Sequence, residues 1–143
     1  MTSEELEKRV RVLEDIEAIK DMHRDYVYAL ISQRWDDMVE CFAEDATAAI
    51  AENPPRKGKA EIAKLLKDVI AKQVSWDWGH FVTQPVIAVD GDRAKGHWIL
   101  YLFFPPPEVR WLQARYDCEY VKLDGKWKFS DLKFKAPWPE PPK

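Results

Sequence analysis

Apolar residues recur at spacings of three and four along the first part of the chain. Ile16, Ile19, His23, Tyr26 and Leu30 trace one stripe, and Leu6, Val10 and Leu13 extend it backward. The period predicts one long amphipathic helix running to about Leu30. Thr2 followed by Glu5 makes a capping box that opens it. A second helix is predicted over Trp35 to Phe42, with Trp35, Met38, Val39 and Phe42 inward, then a short strand over Ala46 to Ala51. Asn53-Pro54-Pro55 ends that strand, because proline brings no donor to a ladder. A third helix after Gly58 turns Ile62, Leu65, Leu66, Val69 and Ile70 inward.

Beyond Ser75 the period falls to two. Strands are predicted over Phe81 to Val89, Lys95 to Phe104, Trp111 to Leu123 and Trp127 to Phe134. Asp90-Gly91 and Asp124-Gly125 supply hairpin turns, since glycine tolerates positive φ. Helices first and an antiparallel meander afterwards define an α+β fold, with three N-terminal helices packed on one face of a curved sheet. A sheet curled over helices leaves a cone-shaped pocket suited to a small molecule.

The length of 143 residues fits one domain, 1–143, with residues 1–5 and 136–143 expected as loose ends. Hydrophobic residues make up 46% and charged residues 33%, which supports a packed core and excludes a disordered chain. A net charge of −3 without a basic stripe argues against a nucleic-acid partner. The longest near-apolar run, Trp98 to Pro107, is too short to span a bilayer, so no membrane is expected. The acidic, polar start is unlike a secretory signal, and Cys41 and Cys118 form neither a disulfide framework nor a metal pattern. Cytoplasmic location is the resulting expectation, with no metal and no Gly-rich phosphate loop. Seven Trp, six Phe and five Tyr are unusually many flat apolar side chains for a chain of this size.

Specific segments then narrow the class. Leu13-Glu14-Asp15-Ile16-Glu17-Ala18-Ile19-Lys20, Tyr26, Trp35-Asp36 and Cys41-Phe42-Ala43-Glu44-Asp45-Ala46 resemble the polyketide-cyclase-like (SnoaL-like) branch of the nuclear-transport-factor-2-like superfamily. Gly58 with Ile62, His80 with Pro85-Val86-Ile87, Asp90 to Ala94, and Tyr116 to Gly125 with Trp127 extend the likeness over roughly Leu6 to Phe134. It is nearest to the branch of bile acid 7α-dehydratase and scytalone dehydratase. The resemblance implies a cone-like α+β fold and a cofactor-independent lyase acting on a bulky apolar or aromatic ring compound. It also implies pairing into a homodimer or homotrimer through the outer face of the sheet. By position His80 matches the family's strand histidine and Tyr26 its helix tyrosine, while the helix aspartate falls on Ile31. Without that carboxylate, loss of a small carbonyl fragment or a double-bond isomerisation fits one base and one donor as well as dehydration does. A non-catalytic small-molecule-binding module of the same fold is the rival reading.

Residue by residue, His80 is the candidate general base, because imidazole titrates near neutral pH. The bland alternative is a core histidine satisfied by a backbone carbonyl. Tyr26, on the inner stripe of the first helix, is the candidate donor to a carbonyl or leaving oxygen. Its alternative is a core tyrosine with a bonded hydroxyl. His23, one turn earlier, reads as a boundary histidine against the sheet. In Lys95 to Phe104 both alternating sets are apolar, so either Tyr101 or Trp98 contacts substrate, depending on which face is inward. Trp78, Ile31 and Phe42 complete the expected substrate-binding set. Asp117 could orient His80 in place of the missing helix carboxylate if its face turned inward. The alternative is a charged outer face, as half-exposed antiparallel sheets normally show.

Overall fold

The computed structural model describes all 143 residues. Helix α1 (Ser3–Ile31) opens on the expected capping box: the Thr2 hydroxyl accepts from the Glu5 N–H at 3.1 Å, and the Glu5 carboxylate accepts from the Thr2 N–H at 2.9 Å. Helix α2 (Trp35–Glu40) follows, then strand β1 (Phe42–Ile50) and the short strand β2 (Arg56–Lys57). Helix α3 (Lys59–Lys64) runs directly into a π-helical stretch (Leu65–Ile70) and a last turn, α4 (Ala71–Gln73). Strands β3 (Gly79–Asp90), β4 (Arg93–Phe104), β5 (Arg110–Leu123) and β6 (Lys126–Lys135) form the meander. Gly91 and Gly125, at φ 61° and 76°, sit in its two tight turns as the Asp-Gly pairs predict. The result is the expected α+β cone: helices cover one face of a six-stranded sheet of order β2-β1-β6-β5-β4-β3.

Several local expectations change. The sheet is mixed, because β1 runs parallel to β6, while the other neighbours are antiparallel. Phe42 opens β1 instead of closing α2. Strand β3 bears a bulge: Thr83 pairs with Ile99 and Val86 with His97, so three steps on β3 oppose two on β4. Gln84, at φ 56°, absorbs the extra residue before Pro85. The bulge reverses the alternation, so that Val86 is exposed on the outer face and does not share the side of His80 and Val82. Leu6, Val10 and Leu13 do not reach the core either. They are more than 40% exposed, and the first turns of α1 project beyond the sheet. The C-terminal end is partly tied down: the Trp138 N–H donates to the Gln113 carbonyl at 2.8 Å, and the Gln113 side chain donates to the Trp138 carbonyl at 3.2 Å.

Three contacts of increasing distance along α1 fix its angle to the sheet. Asp15, buried, accepts from Lys122 Nζ at 3.0 Å and Trp127 Nε1 at 3.1 Å. His23 is fully buried with Nδ1 2.9 Å from the Tyr120 hydroxyl, and its ring stacks on Trp98 at 4.5 Å. The Trp98 indole N–H can only donate, and it reaches the same Tyr120 oxygen at 3.1 Å. The hydroxyl hydrogen can then be given to Nδ1 of a neutral His23 ring, whose Nε2 has no partner. Burial drives the His23 pKa down to about 3. Gly96 makes this node possible, since a Cβ there would stand 3.0 Å from a Tyr120 ring carbon. Tyr26, one turn on, packs edge-on against Phe42, Phe129 and Tyr116. Helix and sheet are thus pinned at the Asp15–His23 end and diverge toward Leu30.

Tyr120→Phe removes the shared hydroxyl and leaves two buried polar groups unpaired. A loss of roughly 2–6 kcal/mol in urea unfolding is expected, at about 1–3 kcal/mol per orphaned group; a change within ~0.5 kcal/mol contradicts the node's role. Because the folded pKa of His23 lies below the unfolded value, the unfolded chain binds the extra proton first. Stability is therefore full above about pH 6.5 and falls as pH drops toward 3. The urea midpoint measured across that range checks the sign.

Candidate active site

At the open end of the cone lies a cavity of about 280 Å³. Leu30 and Tyr26 of α1, Met38 of α2, Leu66 and Ile70 of the π-helical stretch, and the inward residues of β4, β5 and β6 wall it. The wider π turn sets Leu66 and Ile70 on that wall, four residues apart. Almost all of the surface is hydrocarbon. Polar groups are carried by six of the lining side chains: the Tyr26 and Tyr116 hydroxyls, the His80 imidazole, the Trp78 indole N–H, the Gln73 amide and the Arg110 guanidinium. Since an apolar cavity of about 150 Å³ holds a benzene ring, this one has room for a ligand of about two rings.

His80 sits at the start of β3, paired with Leu102 of β4, which is itself a wall residue. Shared register puts both side chains on the inner face. Its Nδ1 is enclosed without a hydrogen-bond partner, as is Nε2 of His23, whose Nδ1 is held by Tyr120. Burial lowers the His80 pKa to about 4, so the ring is neutral at pH 7 and carries a free lone pair. Tyr26 and Tyr116 shift the other way. Burial first, and then their mutual proximity for Tyr26, raise both phenols well above their ordinary value, so they remain hydrogen donors. Their rings meet edge-on, with centroids 6.5 Å apart.

The structure thus brings His80, Tyr26 and Trp78 of the expected set to one cavity. Trp78 stands at the rim, edge-on to Phe104 at 4.8 Å. The remaining expected residues lie elsewhere. Trp98 points inward but is consumed by the His23–Tyr120 node deep in the cone. Tyr101 is on the outer face, where its hydroxyl donates to Gln113 at 3.1 Å and its ring stacks on Phe81. Neither therefore lines the cavity. Phe42 is core packing against Phe129, and Ile31, 38% exposed, has turned off the cavity side of α1, where Leu30 takes the wall. Asp117 is on the outer face beside His97, held by a bidentate bond from Arg115 at 3.0 and 2.9 Å, so it does not orient His80. Tyr116 and Arg110 were not anticipated as site residues. Tyr116 shares parity with the buried Ala114, Cys118 and Tyr120, and that pattern alone pointed it inward.

No three His, Cys, Asp or Glu side chains gather where they could hold a metal ion. Cys41 and Cys118 are free and buried, and burial raises both thiols, that of Cys41 to about 11, which makes them packing residues. No helix is long and apolar enough to cross a membrane.

A curved sheet folded over a long helix, with a histidine-bearing apolar cavity at its open end, defines the cystatin-like cone architecture. The chain belongs to the SnoaL-like domain family, whose model matches residues 11–133. Among solved structures it is similar to a nuclear-transport-factor-2-like protein with a cystatin-like fold from Novosphingobium aromaticivorans. The two are 20% identical, the match covers 97% of this chain and 92% of that one, and the TM-score is 0.84. A scytalone dehydratase candidate from the same organism is 23% identical over 87% of this chain and 85% of its own, with a TM-score of 0.74. The hexachlorocyclohexane dehydrochlorinase LinA-type3 of Novosphingobium barchaimii is 22% identical over 88% of each chain, with a TM-score of 0.76. At these identities the likeness establishes the fold, and the chemistry rests on the residues above.

The isolation of the His80 ring generates a direct expectation. In an NMR titration its Cε1–H signal should move with a midpoint near pH 4 and stay in the neutral position at pH 5.5. A midpoint above 6 shows that the ring is solvated or held by a partner.

Proposed function

We propose that the protein is a cofactor-independent lyase acting on a bulky, apolar or aromatic ring compound, with His80 as general base. The observation that carries this is a half-buried, neutral imidazole on the wall of a hydrocarbon cavity that also holds two un-ionised phenols. In an elimination, His80 takes a proton from the carbon next to the one that bears the leaving group. The C–H electrons become the double bond, and the leaving group departs with its bonding pair. Where that group is a hydroxyl, His80 returns the proton to the departing oxygen. Tyr26 and Tyr116 donate hydrogen bonds to that oxygen and stay un-ionised, in keeping with their raised pKa values. In loss of formaldehyde from a hydroxymethyl group, His80 takes the O–H proton and the C–C bond breaks. The electron pair left on the ring-side carbon collects that proton. Closure of a dry wall around either reaction strengthens each polar contact.

The missing carboxylate favours the second reading. No Asp or Glu lines the cavity, so nothing raises the basicity of His80 as an acidic neighbour would. A small-molecule-binding module of the same fold predicts tight binding of such compounds without turnover. We also propose a cytoplasmic protein that pairs as a homodimer, or as a homotrimer, through the outer face of the sheet. There Phe81, Phe103 and Trp111 are 53%, 46% and 62% exposed beside Tyr101.

Assayed with EDTA present, the purified protein should convert an aryl or alicyclic alcohol, and His80→Ala should lose at least the ~10²-fold of a removed general base. Equal turnover by that variant contradicts the assignment, and binding without any turnover selects the module. The rate should rise with pH through about 4, where His80 loses its proton, and then stay level to pH 9, because both phenols remain protonated. For the assembly, Trp111→Lys should convert the oligomer to a monomer in sedimentation equilibrium.

A further inference from the structure

The cavity has one charged group, and it stands at the mouth. Arg110 begins β5 directly opposite Phe104 of β4, and its guanidinium lies over the Phe104 ring at 4.0 Å from the centroid. Arg24, Arg34, Arg56 and Arg115 face carboxylates; Arg110, like Arg9, Arg11 and Arg93, takes part in no ion pair, and of these four it alone lines the cavity. A cation stacked on an aromatic wall has already given up much of its side-chain freedom, so little more is lost when it meets an anion. The wall beneath it is apolar: Phe104, Leu112 and Ala136 line the same cavity. That setting strengthens a charge pair relative to one on an open surface.

Register gives the distance scale. His80 and Leu102 share one row of the sheet with Leu112, and Phe104 and Arg110 form the row two residues nearer the mouth. Two residues along a strand span roughly 6.6 Å and two strands across roughly 9.6 Å, so the backbones of His80 and Arg110 stand about 12 Å apart. Both side chains reach into the cavity between, which leaves about the length of a one- or two-ring molecule.

We infer that the preferred ligand is an amphiphilic acid: an apolar ring body in the cavity with a carboxylate at the mouth, paired with Arg110 in the guanidinium's two-pronged geometry. Arg110 is then a specificity-determining residue that sets which end of the ligand enters and which atom meets His80. The inference rests on reading the cavity as the ligand site. Gln73 is occupied by Asn53, exchanging side-chain amide bonds at 3.3 and 3.4 Å, and the Trp78 indole N–H carries no charge, so Arg110 is the one cation available to the anion.

Isothermal titration with biphenyl-4-carboxylate and with biphenyl-4-methanol, which share one ring body, tests it. The native protein should bind the acid about five- to tenfold more tightly than the alcohol, the advantage of a charge-assisted pair at a part-exposed rim. Added salt should shrink that advantage. Arg110→Gln should abolish it while leaving the alcohol's affinity unchanged, and Arg110→Lys should restore only part of it. Equal binding of acid and alcohol by the native protein overturns the role of Arg110 and leaves the cavity reading standing. An equal loss for both ligands in Arg110→Gln does the same. Binding of neither ligand overturns both.

Discussion

A hydroxyl shared by two buried partners sets the shape of this molecule. The Tyr120 oxygen, reached from α1 by His23 and from β4 by Trp98, fastens helix to sheet deep in the cone. Breaking it would strand polar groups where no water can replace the bond. Asp15 fastens the same end a second time through Lys122 and Trp127. With one end closed by bonded groups, the twist of the sheet carries its far end away from α1, and the space left between them is the cavity. Tyr26 marks the change of regime: its ring belongs to the core, while its residue also contributes to the cavity wall.

His23, fully buried, and His80, half-buried on the cavity wall, place one side-chain type in two different surroundings. Both are pushed toward the neutral form by burial. His23 has its Nδ1 satisfied and is enclosed by Trp98, Tyr116 and Phe129, with no space beside it for a guest. His80 also has an enclosed Nδ1 without a partner, but it is only half-buried and its residue lines the cavity. Each ring keeps one enclosed nitrogen without a partner, Nε2 in His23 and Nδ1 in His80, so what separates the two is the cavity beside His80.

Much of the architecture is written in periodicity. The 3.6-residue stripe of α1, the capping box at Thr2, the Asp-Gly turns and the alternating strands of the meander all follow from local preference. So does the cone, once helices precede a curved sheet. What local pattern could not decide was long-range. The parallel pairing of β1 with β6 depends on a chain crossover. The choice between Trp98 and Tyr101 was undecidable because β4 is apolar on both faces, one for the core and one for the exposed aromatic patch. The bulge at Gln84-Pro85 reversed the faces of β3 through a positive φ on a residue that does not advertise it. His80 and Tyr26 were legible through a family likeness, and Trp78 through its neighbourhood to His80. Arg110 carried no periodic signal, since its part comes from its place opposite Phe104.

The most direct test is whether a guest enters beside His80. With all three histidines labelled, a neutral bicyclic such as naphthalene should shift the His80 ring signals saturably and leave those of His97, on the outer face, in place. Absence of any saturable shift at His80, with the protein folded, would show that the imidazole faces no usable space and would contradict the account.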